Sequence, residues 1–536
     1  MAVTRTAFLS RTRSEISARW HAPTPALPID IFRVLVGLLS AAYFLRLFLD
    51  AADISGPDGL IDHELTSQIF WYTRFGFFRP GMSTAEFQAI FACASLASLA
   101  LAAGWRSKLM AAFMFVVAVS AYRWNFLVIY VDDGIMHLAI FWMLLLPIGR
   151  TLVLGEWLRD RNAAVDRWSG AMVPGGPVRA FLVSLTLVYV VAGMWKWTSP
   201  MWRSGTALYA VLQTPIAWTP ELWKPSHFPF ISAADYMTLI LEPLFPLMFI
   251  LRTNHKLKWA LLPAMIGFHV GIIATMKVPF ANVACLAAIA IIFRNEIMLI
   301  VQRKRQVAVY ATTTRASGFC AVGSVAFVTV LTLAMMGEAA VPAWRGSNRA
   351  DERVTARTRS TAHAGFLGTQ HNPFYVPLYA IGIAQSYRLF DWIDDRNFGV
   401  RYDITMSSPA SGPRHIDPES VFPSSIRGVL LQTYIHDVTW GSIPRDRADE
   451  LKMALYSRFA DRYCKGYPGT AEIAVSSAVS RVSLATAERF PAPTPLMSFR
   501  CAERRAQVTF ARLGHDRVFA TAATGADWRL IPVNGR

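Results

Sequence analysis

An apolar run without a charge since Arg179 brings Lys196 between Trp195 and Trp197, just before a break at Ser199-Pro200. Two roles are open to a lysine there. It can snorkel, burying its methylene stem while the ammonium reaches the headgroups. Alternatively, held in an apolar pocket, it can act as a proton-abstracting amine. The residues that follow are not ordinary loop. Trp202-Arg203-Ser204-Gly205-Thr206 reads as a turn with amphipathic anchors, and the chain is apolar again from Ala207 to Leu212. Lys196 is therefore expected at a dented, protein-lined part of a membrane surface.

Other ionisable residues interrupt apolar segments, and each costs a few kcal/mol at a helix centre, so each is a functional candidate. They are Glu242 in LILEPLFP, His269 in MIGFHVGI, His137 in GIMHLAIF, Arg123 beside Asn125 in YRWNF, and Asp132-Asp133. Each also has a plainer role. Glu242 can pair with a basic residue for structure alone, and His269 can hydrogen-bond across helices. Asp132 and Asp133 can simply mark a boundary. The chain has no CxxC, HExxH or Walker loop and no convincing GxSxG. Metal, ATP and hydrolase chemistry therefore have no sequence support.

The elements that must position these residues are membrane helices. The chain is 54% hydrophobic and 17% charged, which is the composition of a membrane protein. Its net charge of +17 comes with 12% aromatics and long apolar runs. Basic flanks of membrane helices account for it better than nucleic acid, and no nucleic-acid partner is expected. Judged against the ~20 residues needed to cross a bilayer, apolar segments fall near 30–49, 85–103, 108–129, 133–149, 178–198, 234–251, 257–277, 279–296 and 316–336. The fold class expected is an all-α polytopic membrane domain of about nine transmembrane helices. A small extracytoplasmic α+β or β-sandwich-like domain follows it. The boundaries are a cytoplasmic leader over 1–28, a transmembrane domain over 29–315, a last helix over 316–337 and the polar, Arg-rich domain over 338–536.

Orientation follows from the loops. Basic clusters such as Arg106 and Lys108, or Arg303, Lys304 and Arg305, alternate with acidic ones such as Asp53, Asp58, Asp62 and Glu64. That alternation puts the N-terminus inside and the C-terminal domain outside. The loop at 150–177 reads as one amphipathic helix on the inner surface. The aromatic run Phe70, Trp71, Tyr72, Phe75 and Phe77 reads as an interfacial belt, or else as a mouth for an apolar ligand. In the C-terminal domain, Gly399–Met406, Gly428–Trp440, Ile473–Val482 and Gln507–Arg512 alternate like half-buried strands, and 446–463 has helical spacing. Cys464 and Cys501 are expected to pair there.

The run Ala192-Gly193-Met194-Trp195-Lys196, followed by Trp202-Arg203-Ser204-Gly205-Thr206-Ala207, resembles the HTTM (horizontally transferred transmembrane) family. That family includes the vitamin K-dependent gamma-carboxylase. The resemblance runs through most of residues 28–300, and its Ala-Gly-x-x-Lys lysine falls on Lys196. It implies that Lys196 is the base that deprotonates a reduced quinone, menaquinone or vitamin K hydroquinone, drawn from the bilayer. His269 matches a Phe-His of the relatives and is implied as a second catalytic residue. Trp195, Trp197, Trp202, Arg203, Glu242, Asp132, Asp133, His137 and Arg123 would form the pocket. The implied partners are membrane lipid and a peptide or small-molecule substrate on the outer side. Two features depart from the family's carboxylase. Asp132-Asp133-Gly134 stands where it has a catalytic His motif, with His137 a turn further on, and the C-terminal domain is much shorter. The implied activity is thus carboxylase- or epoxidase-like rather than glutamate carboxylation itself. The alternative is a non-enzymatic maturation or export factor for a secreted peptide, with the outer domain binding the partner. The implied location is a bacterial inner membrane.

Overall fold

The structure, a computed structural model, describes residues 20–69, 76–213, 216–302 and 310–311 and the helix from 316. In the C-terminal part it describes the strands named below and scattered positions between them. All nine expected apolar segments are helical. They are α1 (Leu27–Asp50), α2 (Thr84–Ala103), α3 (Ser107–Trp124), α4 (Val131–Leu145), α5 (Gly175–Thr198), α6 (Phe228–Leu244), α7 (Lys256–Thr275), α8 (Pro279–Ala287) and α9 (Ala316–Arg345). Among the described residues, five helices are long and apolar enough to cross a membrane. A sixth is added if the chain from Pro279 to Gln302, bent by 55° after Ile292, counts as one span. Length and composition thus account for five or six of the nine expected crossings. One reason is α4, which has 15 residues, fewer than the ~20 a crossing needs. It is the central helix, with Met136, His137, Ile140, Trp142 and Met143 fully enclosed.

Local sequence explains how the bundle closes. Pro28 sits in the first turn of α1, where a missing N–H costs nothing. Asp30, fully buried, accepts from the backbone N–H groups of Gly149, Arg150 and Thr151 at 2.6–2.7 Å and from Arg33 Nε at 2.9 Å. Arg33 in turn donates to the carbonyls of Leu101, Ala102 and Leu152. This buried pair satisfies the carbonyls ending α2 and ties three segments together, as a buried ion pair must to be tolerated. A capping box of Ser83 and Glu86 opens α2, and Gly104, at φ 83°, closes it. Outward-facing Leu38, Leu49, Leu96, Phe230, Ile250 and Val322 are exposed, as a lipid-facing surface requires.

The expected amphipathic helix at 150–177 is two short helices, Leu154–Arg159 and Arg161–Gly170. Asp160 divides them because its side chain caps the second, accepting from Ala163 N at 3.0 Å. A strand, Ala171–Val173, follows and pairs with Thr24–Pro25 and Tyr310–Ala311. Three segments expected on one side of the membrane therefore meet. Of the aromatic run, residues 70–75 lie outside the described residues. Phe77 is half-buried against Phe78, ring centroids 4.5 Å apart.

In the C-terminal part, Phe398–Ser408, Ser411–Ile416, Glu472–Arg481, Thr494–Arg500 and Arg505–Val508 form a five-stranded antiparallel sheet. A hairpin, Phe519–Thr524 with Asp527–Pro532, lies beyond it. Two expected strands are there, and of the one expected at Gln507–Arg512 the structure has Arg505–Val508, while residues 509–512 lie outside the described residues. Most of Gly428–Trp440 lies outside the described residues. Cys464 and Cys501 are bonded, with Cα atoms 5.6 Å apart. Arg427 is buried against Asp133 and Asp50. Arg458 donates to Pro57 O at 2.6 Å and pairs with Asp62 at 3.4 Å, and Arg462 pairs with Asp53. These arginines hold the C-terminal part against the end of the bundle that carries the acidic loops. The carboxylates around Arg427 push its pKa up, even though burial alone would lower it.

Candidate functional site

Helices α5 and α6 touch at Gly193 and Pro243. A Cβ added to Gly193 would lie 2.7 Å from Pro243 Cγ, so the approach requires a residue without a side chain. Lys196 comes one turn along α5 from this crossing, and Glu242 immediately precedes Pro243. The crossing therefore sets the two ionisable side chains face to face. Lys196 Nζ donates to Glu242 Oε2 at 2.6 Å, and both side chains are 4% exposed. The ammonium also lies 5.4 Å from the Trp202 ring centroid, within cation–π range.

Lys196 is thus turned into the bundle, contrary to the snorkelling alternative. Its sequence neighbours do not enclose it as expected. Trp197 is 52% exposed and donates to Leu239 O at 2.9 Å, and Trp195 is only half-buried. The reason is helical geometry, since residues adjacent in sequence point about 100° apart around the axis.

The pair borders a cavity of about 530 Å3 between α5, α6, α7 and the start of α8. Its walls are chiefly apolar, including Val188, Leu212, Leu241 and Phe268. Phe230, Met237, Gly267 and Gly271 also line it and are exposed on the outer surfaces of α6 and α7. A Cβ added to Gly267 or Gly271 would meet nothing within 4 Å. The cavity therefore borders the bundle's lipid-facing flank.

A second polar group shares the wall. His269 Nδ1 lies 2.8 Å from Asn282 Oδ1, while Asn282 Nδ2 donates to Val278 O at 2.6 Å. That second bond fixes the amide orientation, so Oδ1 must accept and Nδ1 must carry the hydrogen. The lone pair on Nε2 then accepts from the Tyr189 hydroxyl at 2.8 Å. Both imidazole nitrogens are engaged.

Of the residues expected in the site, Lys196, His269, Trp202 and Glu242 line the cavity. Others stand apart from its wall. Arg203 is exposed. Arg123 lies in the last turn of α3, and His137 is enclosed beside Tyr122, ring centroids 5.0 Å apart. Asp132 accepts from Ala281 N at 2.8 Å, tying α4 to α8, and Asp133 accepts from Tyr43 Oη at 2.6 Å besides its pair with Arg427. Their neighbours Val131 and Ile135 do reach the cavity. Two polar lining residues, Tyr189 and Asn282, are not among the site residues expected from the sequence. Tyr189 precedes Lys196 by seven residues, two helical turns on one face, and Asn282 is a lone amide in an apolar run. Either signal would have found them.

No protein-family profile, curated protein or solved structure matches the chain.

Proposed function

We propose that the chain is an HTTM-type enzyme of a bacterial inner membrane that uses a reduced quinone-like cofactor, the hydroquinone form of menaquinone or vitamin K. The observation that supports this most is the buried Lys196–Glu242 pair in the wall of an apolar cavity bordering the lipid-facing flank. Ionisable groups within apolar membrane segments are functional candidates by default, and this pair, unlike the fully enclosed Asp30–Arg33 pair, borders a cavity. The cavity fits such a cofactor, because its volume is in the range of small-molecule sites. It is also apolar along the sides, with ionisable groups confined to one part. Bound there, the cofactor would react with dioxygen and supply a strong base for proton abstraction from a peptide or small substrate.

The residues divide the work. Val188, Leu241 and Phe268 bind the apolar ring and chain and exclude water. The Lys196–Glu242 pair takes up the hydroxyl proton. Tyr189, held by His269, presents its oxygen to the same space with its hydrogen already committed. In this reading the apolar helices cross the membrane with the N-terminus and the 150–177 segment inside. The docked arginines Arg458 and Arg462 keep the C-terminal domain on the outer side, with the acidic loop around Asp53 and Asp62.

The test is quinol oxidation by protein reconstituted in liposomes with menaquinol under air. Turnover that Lys196→Ala abolishes at matched abundance supports the proposal. Absence of turnover, together with copurification of a dedicated secreted peptide, rejects it in favour of a maturation or export factor.

A further inference from the structure

We infer that Glu242, through Oε1, is the proton acceptor of this site, and that Lys196 is its fixed cation rather than the base. The inference rests on the quinol reading above and assigns the step within it. A lysine ammonium that donates to a carboxylate has no lone pair with which to take a proton. Among the described residues, Glu242 is bonded through Oε2 alone, to Lys196. Oε1 takes no hydrogen bond there, yet it is not among the buried atoms left without a partner. It thus keeps some accessible surface, and the side chain it belongs to borders the cavity.

Other polar groups of the wall hold partners, and the buried Trp223 indole N–H, which does not, is a donor only. His269 donates through Nδ1 and accepts through Nε2. Thr238 and Thr275 donate to the carbonyls of Ala234 and Gly271 at 2.9 and 2.8 Å. Oε1 of Glu242 is the anionic oxygen left facing the space where an acidic hydroxyl would lie.

The step balances without an oxidant. The O–H bond of the hydroxyl breaks, an Oε1–H bond forms on Glu242, and the electron pair stays on the hydroxyl oxygen. The negative charge moves from the carboxylate to that oxygen, so total charge in the cavity is unchanged. Lys196, relieved of its counter-charge, then faces the new one. A cation already in place needs no reorganisation, and this is how preorganised sites stabilise developing charge. Gly193, by allowing the close crossing, acts as a positioning residue for the pair.

The experiment uses full-length protein in nanodiscs with menadiol, a short hydroquinone, added under anaerobic conditions. Infrared difference spectra are recorded with and without 13C-labelled glutamate. The inference expects a protonated-carboxyl band on menadiol binding that shifts with the label and is absent from Glu242→Gln. Glu242→Gln should still bind menadiol but lose about 10²- to 10⁴-fold in aerobic turnover. Lys196→Arg, which keeps a cation, should retain the band. Menadiol that binds without any carboxyl band, or a Lys196→Arg protein that loses turnover while Glu242→Gln keeps it, would overturn the assignment and leave the quinol reading standing. Wild-type protein that does not bind menadiol would overturn both. If Glu242→Gln fails to fold, Glu242→Asp decides the matter, because its band should persist but no longer shift with labelled glutamate, and a band that still shifts would overturn the assignment.

Discussion

Removing one member of the Lys196–Glu242 pair is expected to destabilise the protein far more than removing both. At 2.6 Å the two charges attract by about 6 kcal/mol at an effective dielectric of ~20. Taking both ions out of water costs several kcal/mol each, so the pair as a whole contributes little net stability. Lys196→Met leaves the Glu242 carboxylate without its cation and is expected to cost about 3–5 kcal/mol. Glu242→Leu leaves the ammonium unpaired and is expected to cost a similar amount. The double variant Lys196→Met/Glu242→Leu leaves no unpaired ion in an otherwise apolar wall. It should return to within about 1 kcal/mol of wild type or exceed it. Reversible unfolding in mixed micelles, with tryptophan fluorescence as the signal, measures all four proteins in one double-mutant cycle. If the two single costs simply add in the double variant, to within about 0.5 kcal/mol, the side chains are not coupled and the geometry described here is wrong.

Gly193→Ala should cost about 1–3 kcal/mol by forcing α5 from Pro243. Gly267→Ala, which meets nothing within 4 Å, should be neutral or stabilising by up to about 1 kcal/mol. Equal unfolding shifts for the two would refute the close crossing. His63, outside the membrane-spanning segments, stacks on Trp124 at 4.2 Å and donates from Nε2 to Ile54 O at 2.6 Å. Burial lowers its pKa to about 4. The folded protein therefore resists a proton that the unfolded chain accepts. Stability should be fully present above pH ~6.5 and fall by about 3 kcal/mol in total as pH drops towards 4. His63→Phe should remove that part of the acid limb, and an unchanged pH profile would count against the burial. Cys464→Ser should cost the C-terminal domain up to about 4 kcal/mol, from the chain entropy of a loop closed over a separation of 37 residues. Adding Cys501→Ser should cost nothing further, and a thermal-unfolding series distinguishes the two cases.

What the sequence revealed, and what it hid, divides along a physical line. Helix positions were legible because hydrophobic content over ~20 residues reports burial in lipid directly, and all nine segments are helical. The number of crossings was not, because an enclosed central helix such as α4 is as apolar as a lipid-facing one while being shorter. Lys196, Glu242 and His269 were legible as candidates because a charged or titratable group is costly in an apolar run wherever the run goes. Their partners were hidden, since Lys196 and Glu242 lie 46 positions apart and Tyr189 and His269 80. Periodicity within one helix says which residues share a face, but not which face of another helix it meets. One local feature did carry that information. Gly193 and Pro243 are each poor choices for a helix interior, by about 1 and 3 kcal/mol relative to alanine. Two such residues, next to or one turn from two ionisable ones, are tolerated because they meet each other. Residues that violate helix propensity beside intramembrane charges are thus where a crossing can be sought from sequence. The flanking tryptophans mislead by the same reasoning. Trp195 and Trp197 suggest an aromatic cage when read along the chain, yet the ring that faces the ammonium is Trp202, beyond the Ser199-Pro200 break. That break turns the chain back over the end of α5, a consequence of backbone geometry rather than of composition.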